Sequence, residues 1–247
     1  MIYHVIKQKA KTLIPKKVLF KNELFFRSLY GFFHKGKTHQ CNICKHKLKQ
    51  FVPLKTNDLL CPFCGSLSRN RRLWHILNKE DAINGSILHF SPSRSLYRIL
   101  KKESSVKYFS TDFEDEFLAD YQFDITKINR PNNSFDTIIC YHILEHIVED
   151  HKAMEELYRV LKPNGKLFIQ TPFKAGAIYE DASIVSPEAR LQHFGQEDHV
   201  RIYSVEGLKE RLEKVGFTVN ILQFNNHIED SKFYGFTIPE TILKLSK

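Results

Sequence analysis

Asp124–Pro172 reads DITKINRPNNSFDTIICYHILEHIVEDHKAMEELYRVLKPNGKLFIQTP, and the order of elements within it decides the fold. Phe135–Tyr141 is a short run rich in β-branched and aromatic residues, which predicts a buried strand. Met154, Leu157, Tyr158 and Leu161 then recur at the 3.6-residue period and predict one apolar helix face. Pro163-Asn164-Gly165 stops that helix and turns the chain into a second strand, Lys166–Gln170. Strand, helix, strand with short connections is the unit of a parallel sheet.

The pattern extends in both directions. Strands are predicted at Ser86–Phe90, Val106–Thr111, Thr218–Phe224 and Thr241–Leu245, with a weak one near Tyr121–Asp124. Leu73, Ile76 and Leu77 predict a helix over 68–79. Ser204 is a candidate N-cap, Leu208, Leu212 and Val215 form the face that follows, and Gly216 stands where a left-handed residue ends a helix. The fold class is therefore α/β, with helices on both faces of an open sheet. Pro172–Arg201 is long and polar, the pattern of a lid or substrate loop.

Ahead of the sheet lie Cys41-x2-Cys44 and Cys61-x2-Cys64, sixteen residues apart. Two such turns present four thiolates to one tetrahedral ion, so a small ribbon with structural Zn2+ is expected over 41–67. The fifth cysteine, Cys140, stands alone in a strand and reads as a small core residue. Residues 1–40 form a basic, aromatic and helical segment in which Leu24, Phe25, Leu29, Phe32 and Phe33 make a stripe beside Lys21 and Arg27, expected to pack on the rest of the protein, with a membrane surface as the alternative. Residues 1–85 carry 17 Lys/Arg against 4 Asp/Glu, whereas the rest carries 20 against 24. A basic front end suits an anionic partner, which leaves RNA and a membrane surface both open, beside a solvated face. No apolar run is long enough to span a bilayer and no secretory signal is apparent, so a cytoplasmic protein is expected.

From Ile87 onward the chain resembles the class I S-adenosylmethionine-dependent methyltransferases, on the "LEHI" helix entry, the "RVLKPNG" helix end and the strand after it. With CPFCGSLSRNR and YEDASIVSPEARLQHFGQEDHVRIY it is similar to a subgroup carrying an N-terminal cysteine ribbon. The resemblance implies a Rossmann-like seven-stranded sheet over 68–247, with 172–201 as lid. It implies S-adenosylmethionine as cofactor and an unidentified methyl acceptor. It places Phe90, Ser91, Pro92 and Ser93 in the turn beside the cofactor's methionine part, Asp112 on its ribose, Asp124 near its adenine, and Tyr141 and His142 toward the methyl. In this chain the turn is HFSPSRS, without the glycines usual in the family.

The lid adds charges and imidazoles. His199 is the expected general base, with Asp198 orienting it and His142 as a further candidate. Glu180, Arg190, Gln196 and Arg201 are expected to contact substrate, the arginines as clamps for a carboxylate or phosphate. Arg69, Arg71 and Arg72 are read as covering the exposed face of their helix or as meeting substrate from the ribbon side. The expected chemistry is methylation of an oxygen or nitrogen on a small-molecule or glycan-type acceptor. An RNA methyltransferase and a catalytically silent binding module are the competing readings.

Overall fold

The computed structural model describes residues 16–114, 116–225 and 231–247, with side chains from residue 22 onward. The chain divides into two compact units. Met1–Arg72 with Asp230–Thr237 forms the first, and Leu73–Glu229 with Ile238–Lys247 the second.

In the second unit, β5 (Gly85–Phe90), β6 (Val106–Thr111), β7 (Phe135–Tyr141), β8 (Leu161–Gln170), β11 (Thr218–Phe224) and β12 (Glu240–Ser246) form one sheet. Its order is β11-β12-β8-β7-β5-β6. β6, β5, β7 and β8 run parallel, and β12 is antiparallel to both of its neighbours. The seven strands implied by the resemblance become six among the described residues. At the β6 edge the weak strand near Tyr121–Asp124 is reduced to a single parallel bridge, Thr111 to Tyr121. The reason is local: Asp124 folds back on Thr126, accepting from its N–H at 2.8 Å and its Oγ1 at 2.7 Å, and this turn leaves little extended chain to pair.

The parallel strands carry continuous apolar runs because both faces are covered. Ile138, Ile139, Leu167 and Phe168 are fully buried. Met154 and Leu157 from α4 (Asp150–Val160) and Leu208 and Leu212 from α6 (Val205–Val215) pack into the same core as Leu88, Ile138 and Leu243. α6 is delimited as its caps require. Ser204 Oγ accepts from Gly207 N–H at 3.1 Å, and Gly216 ends the helix at φ 116°. Cys140 is fully buried in this core.

The first unit comprises α1 (Lys16–Phe32), the strand pairs β1 (Lys35–Gln40)/β2 (Lys47–Leu48) and β3 (Val52–Pro53)/β4 (Leu59–Leu60), and the start of α2 (Ser68–Lys79). The residues expected to begin the N-terminal segment, 1–15, and the side chain of Lys21 lie outside the described residues. The packing expected of the α1 stripe is not found: Leu24, Phe25, Leu29, Phe32 and Phe33 are all exposed. No helix among the described residues is long and apolar enough to cross a membrane.

Arg71 and Arg72 overturn the expectation that they cover an exposed helix face. Both are buried, at 0% and 1% exposure. Arg71 donates to the carbonyls of Ser66 (2.7 Å), Leu59 (3.0 Å), Tyr234 (2.7 Å) and Gly235 (2.6 Å), and its guanidinium lies over Phe51 at 4.1 Å. Arg72 donates to Thr237 O at 2.5 Å. Arg69 alone of the three faces solvent. The segment 231–237 thus completes the first unit, with Gly235 164 positions beyond the Arg71 it binds. Spacing along the chain carries no sign of that return.

Candidate functional site

Among the described residues, three clusters of functional side chains are present, one in the first unit and two in the second. In the first unit each cysteine pair sits in a tight turn. Lys45 N–H donates to Cys41 O at 2.8 Å and Gly65 N–H to Cys61 O at 2.9 Å. Gly65 adopts φ 75°, a region glycine enters without a Cβ clash. The four sulfurs converge: Cys41 Sγ lies 3.7 Å from Cys64 Sγ, and Cys44 Sγ 3.7 Å from Cys61 Sγ. A tetrahedron of thiolates bonded to Zn2+ at about 2.3 Å has an edge of about 3.8 Å, so the donor set fits that ion. Hydrogen bonds from Cys44, Cys61 and Cys64 push the Cys41 thiol well down.

The second cluster lies at the carboxyl ends of β5 and β6. The neighbours of β5 follow it by different routes, β6 and β7 on opposite sides, so a crevice opens there. Ser91, directly after β5, takes φ 42°, the conformation a glycine would hold in a glycine-rich turn. Its N–H reaches Thr111 O at 2.7 Å, and its Oγ donates to Asp112 Oδ1 at 2.6 Å. Asp112 is 6% exposed, and its Oδ2 accepts from Glu116 N–H (2.6 Å) and Phe117 N–H (3.0 Å). The loop after β6 therefore folds over its own acid. Phe90 and Pro92 are buried beside Ser91, and Ser93 caps α3 (Arg94–Leu100), accepting from Leu96 N–H at 3.4 Å. Asp124 is exposed and held by its local turn.

The third cluster follows β7. Tyr141 ends the strand, and His142 leaves it at φ 55°, its N–H donating to Gln170 O at 2.8 Å. A 3₁₀ turn, Leu144–His146, brings Glu145 inward to 1% exposure. Glu145 Oε1 lies 3.3 Å from His142 Nδ1, at an angle that makes no hydrogen bond, and neither carboxylate oxygen has a hydrogen-bond partner. Burial pushes this carboxyl up, but the neighbouring imidazoles, His142 foremost, outweigh it and hold the group below the usual carboxylate range. His146 and His199 cross at 90° with ring centres 4.6 Å apart. Glu145, Thr171, Phe173, Phe194, His199 and Arg201 are among the residues lining a cavity of about 110 Å³. His199 is 4% exposed, and burial, aided by His146, pushes its pKa down.

Several expected roles change on this geometry. Asp198 pairs with His146, Oδ2 to Nδ1 at 3.0 Å, rather than orienting His199. Arg201 is no free clamp. Its guanidinium donates to Glu180 Oε2 (2.8 Å) and to the carbonyls of Leu144 (3.2 Å), Ile147 and Val148 (2.9 Å). Glu180 is bound in turn by Arg211, which also reaches Asp150 Oδ2 at 2.6 Å. These charges close the loop upon itself together with the strand pair β9 (Tyr179–Glu180) and β10 (Arg201–Ile202). Arg190 is half-buried on α5 (Pro187–Phe194), its Nε 3.5 Å from Ile184 O, and Gln196 is exposed. Sequence reasoning missed Glu145. Its signal was there: a carboxylate inside the apolar run Ile143–Ile147.

Residues 84–221, more than half of the chain, match a family described as the methyltransferase domain. The chain belongs to the methyltransferase-domain family. Among curated relatives, the ubiquinone biosynthesis O-methyltransferase of Coxiella burnetii is 24% identical over 125 residues, covering 50% of this chain and 47% of that protein. The chain thus spans about half the length of the curated relatives it matches. Among solved structures, an S-adenosylmethionine-dependent methyltransferase from Archaeoglobus fulgidus superposes on this chain with a TM-score of 0.50 at 16% identity, covering 71% of this chain and 93% of that one. The [4+2]-cyclase SpnF does so with a TM-score of 0.50 at 17% identity, covering 71% and 80%. Both similarities concern the fold, and a fold alone does not fix a reaction.

Proposed function

We propose that this chain transfers the methyl group of S-adenosylmethionine to an oxygen or nitrogen of a small-molecule or glycan-type acceptor. The observation that carries the reading is the Ser91–Asp112 rim at the carboxyl ends of β5 and β6. There a buried carboxylate accepts a hydroxyl at 2.6 Å, so its site fits hydroxyl donors of the kind a ribose presents. In this reading Ser91 and Asp112 exchange their mutual bond for bonds to the cofactor, and Phe90, Pro92, Ser93, Asp124 and Tyr141 border it. The bound cofactor supplies an activated methyl on a sulfonium. The protein's part is alignment of acceptor, methyl and sulfur, with removal of a proton where the acceptor carries one. The depressed pKa of His199 keeps its imidazole neutral, as a proton acceptor must be. Arg190 and Gln196 remain candidates for acceptor contact, whereas Glu180 and Arg201 hold the loop. The resemblance to an O-methyltransferase favours oxygen as the acceptor atom.

The same reading assigns structural Zn2+ to Cys41, Cys44, Cys61 and Cys64, and leaves no position on that ion for substrate. A second reading, an RNA acceptor, is favoured by the excess of Lys/Arg over residues 1–85 and the exposed phenylalanines of α1. Affinity for RNA that is lost steeply with added salt would select it.

Calorimetry tests the cofactor site. S-adenosylmethionine is expected to bind the wild-type chain, and Asp112→Ala to weaken it by about 10- to 100-fold, or ~1.4–2.7 kcal/mol. Wild-type protein that binds none would make the chain a non-catalytic module. Transfer of labelled methyl into small-molecule, glycan, RNA and protein fractions of a lysate then identifies the acceptor.

A further inference from the structure

The third cluster holds more than a single base requires. Glu145 is a buried carboxylate with both oxygens free of hydrogen bonds. His142 Nδ1 at 3.3 Å faces one of these oxygens without bonding it, so an occupant that binds them directly is the natural complement. Ligand atoms of Glu145, His146 and His199 all lie within 4.8 Å of one another. An ion bonded to three such atoms at about 2.1 Å needs them about 3.0–4.2 Å apart, which small imidazole rotations supply. The Nδ1 of His146 is 3.0 Å from Asp198 Oδ2. A carboxylate beside one imidazole nitrogen is the arrangement that orients metal-bound histidines.

We propose that Glu145, His146 and His199 bind a divalent first-row transition ion whose remaining positions open onto the adjoining cavity. Two nitrogens and one carboxylate oxygen suit Mn2+, Fe2+, Co2+ or Zn2+ better than Ca2+ or Mg2+. At about 110 Å³ the cavity has room for roughly three waters or one polar end of an acceptor. Asp198 is a positioning residue. Use of the ion in methyl transfer rests on the function proposed above. An acceptor hydroxyl bound to it would give its proton to solvent more readily, the oxygen–carbon bond would form as the carbon–sulfur bond breaks, and the cofactor would leave as the thioether. His199 is then a ligand and not a free base. Occupancy of the site does not depend on that use.

The test uses the full chain loaded with one equivalent of zinc, titrated with Co2+ and with Mn2+ by calorimetry, visible absorption and electron paramagnetic resonance. One further ion per chain is expected, without the thiolate charge-transfer bands that Co2+ would show in the ribbon. Glu145→Gln and His199→Asn should each weaken it at least tenfold, and Asp198→Asn by roughly tenfold. Circular dichroism checks that each variant is folded, and the two conservative changes stand in for one another. Absence of a further ion, or uptake indifferent to both ligand changes, overturns the proposal. Calorimetry with S-adenosylmethionine on the same samples separates the two readings. Cofactor binding without metal uptake sinks the metal site alone, and metal uptake without cofactor binding sinks the enzymatic reading alone.

Discussion

The cysteine ribbon and the Glu145 cavity are both clusters of donor atoms, but they are built on opposite plans. The ribbon offers four sulfurs spaced as the edges of a small tetrahedron, set in two tight turns with Arg71 bonding the Ser66 carbonyl. The cavity offers one carboxylate and two imidazoles, with empty volume beside them. Four protein ligands close a site and serve folding, while three leave room for chemistry. The ribbon should therefore be judged by stability and the cavity by activity.

The largest effect should come from Cys61→Ser. The ribbon's single zinc is expected to be lost, and protease cleavage to appear within the first 72 residues. In zinc-folded peptides the metal is worth about 10–16 kcal/mol of apparent binding energy. A ribbon that keeps its protection without zinc would break the contrast. Next comes Arg71→Met, which strands four carbonyls and should cost about 3 kcal/mol or more in denaturant unfolding. A smaller loss would mean that the metal alone holds the unit.

Acid comes third. His89 is buried against Tyr108, and burial pushes its pKa to about 3; that of His199 is lowered too. His89 stays neutral in the native state down to about pH 3, and native His199 takes up its proton at lower pH than the unfolded chain, whose imidazoles charge below about pH 6.5. Unfolding free energy should thus fall with pH below that point, by up to about 1.4 kcal/mol per pH unit for His89. His89→Leu should flatten the slope more than His199→Asn does. Fourth, Glu145→Gln should leave the melting temperature unchanged or raise it, while methyl transfer falls about a hundredfold. Marked destabilisation with retained activity would move Glu145 to the structural side of the contrast. The smallest effect is expected for Ser91→Gly. Relief of a left-handed φ, ~1 kcal/mol, is offset by loss of one bond to Asp112 of about the same size, so melting should shift little.

What could be read along the chain was local. β6, β7 and β11 keep the bounds that alternation and turn residues imply, and Ser204 and Gly216 cap α6 as their chemistry demands. The cysteine spacing carried the thiol cluster because each pair is made within one turn. What stayed hidden depends on residues far apart. Arg71 meets Gly235 across 164 positions, and Arg201 meets Val148 across 53. A polar stretch such as Glu180–Arg201 looks alike whether its charges face substrate or one another. Only geometry shows that Glu180 and Arg201 are partners, and that Asp198 turns to His146.

The first unit takes its last strip of chain from between β11 and β12, two neighbours in the other unit's sheet. It is therefore a graft sewn in at two points. Cutting the chain after Arg72 would not excise it, since 231–237 would stay behind with its carbonyls stripped of their guanidinium. A ribbon of this kind cannot be swapped like a cassette, and any exchange between relatives must carry the hairpin tip along with the cysteines.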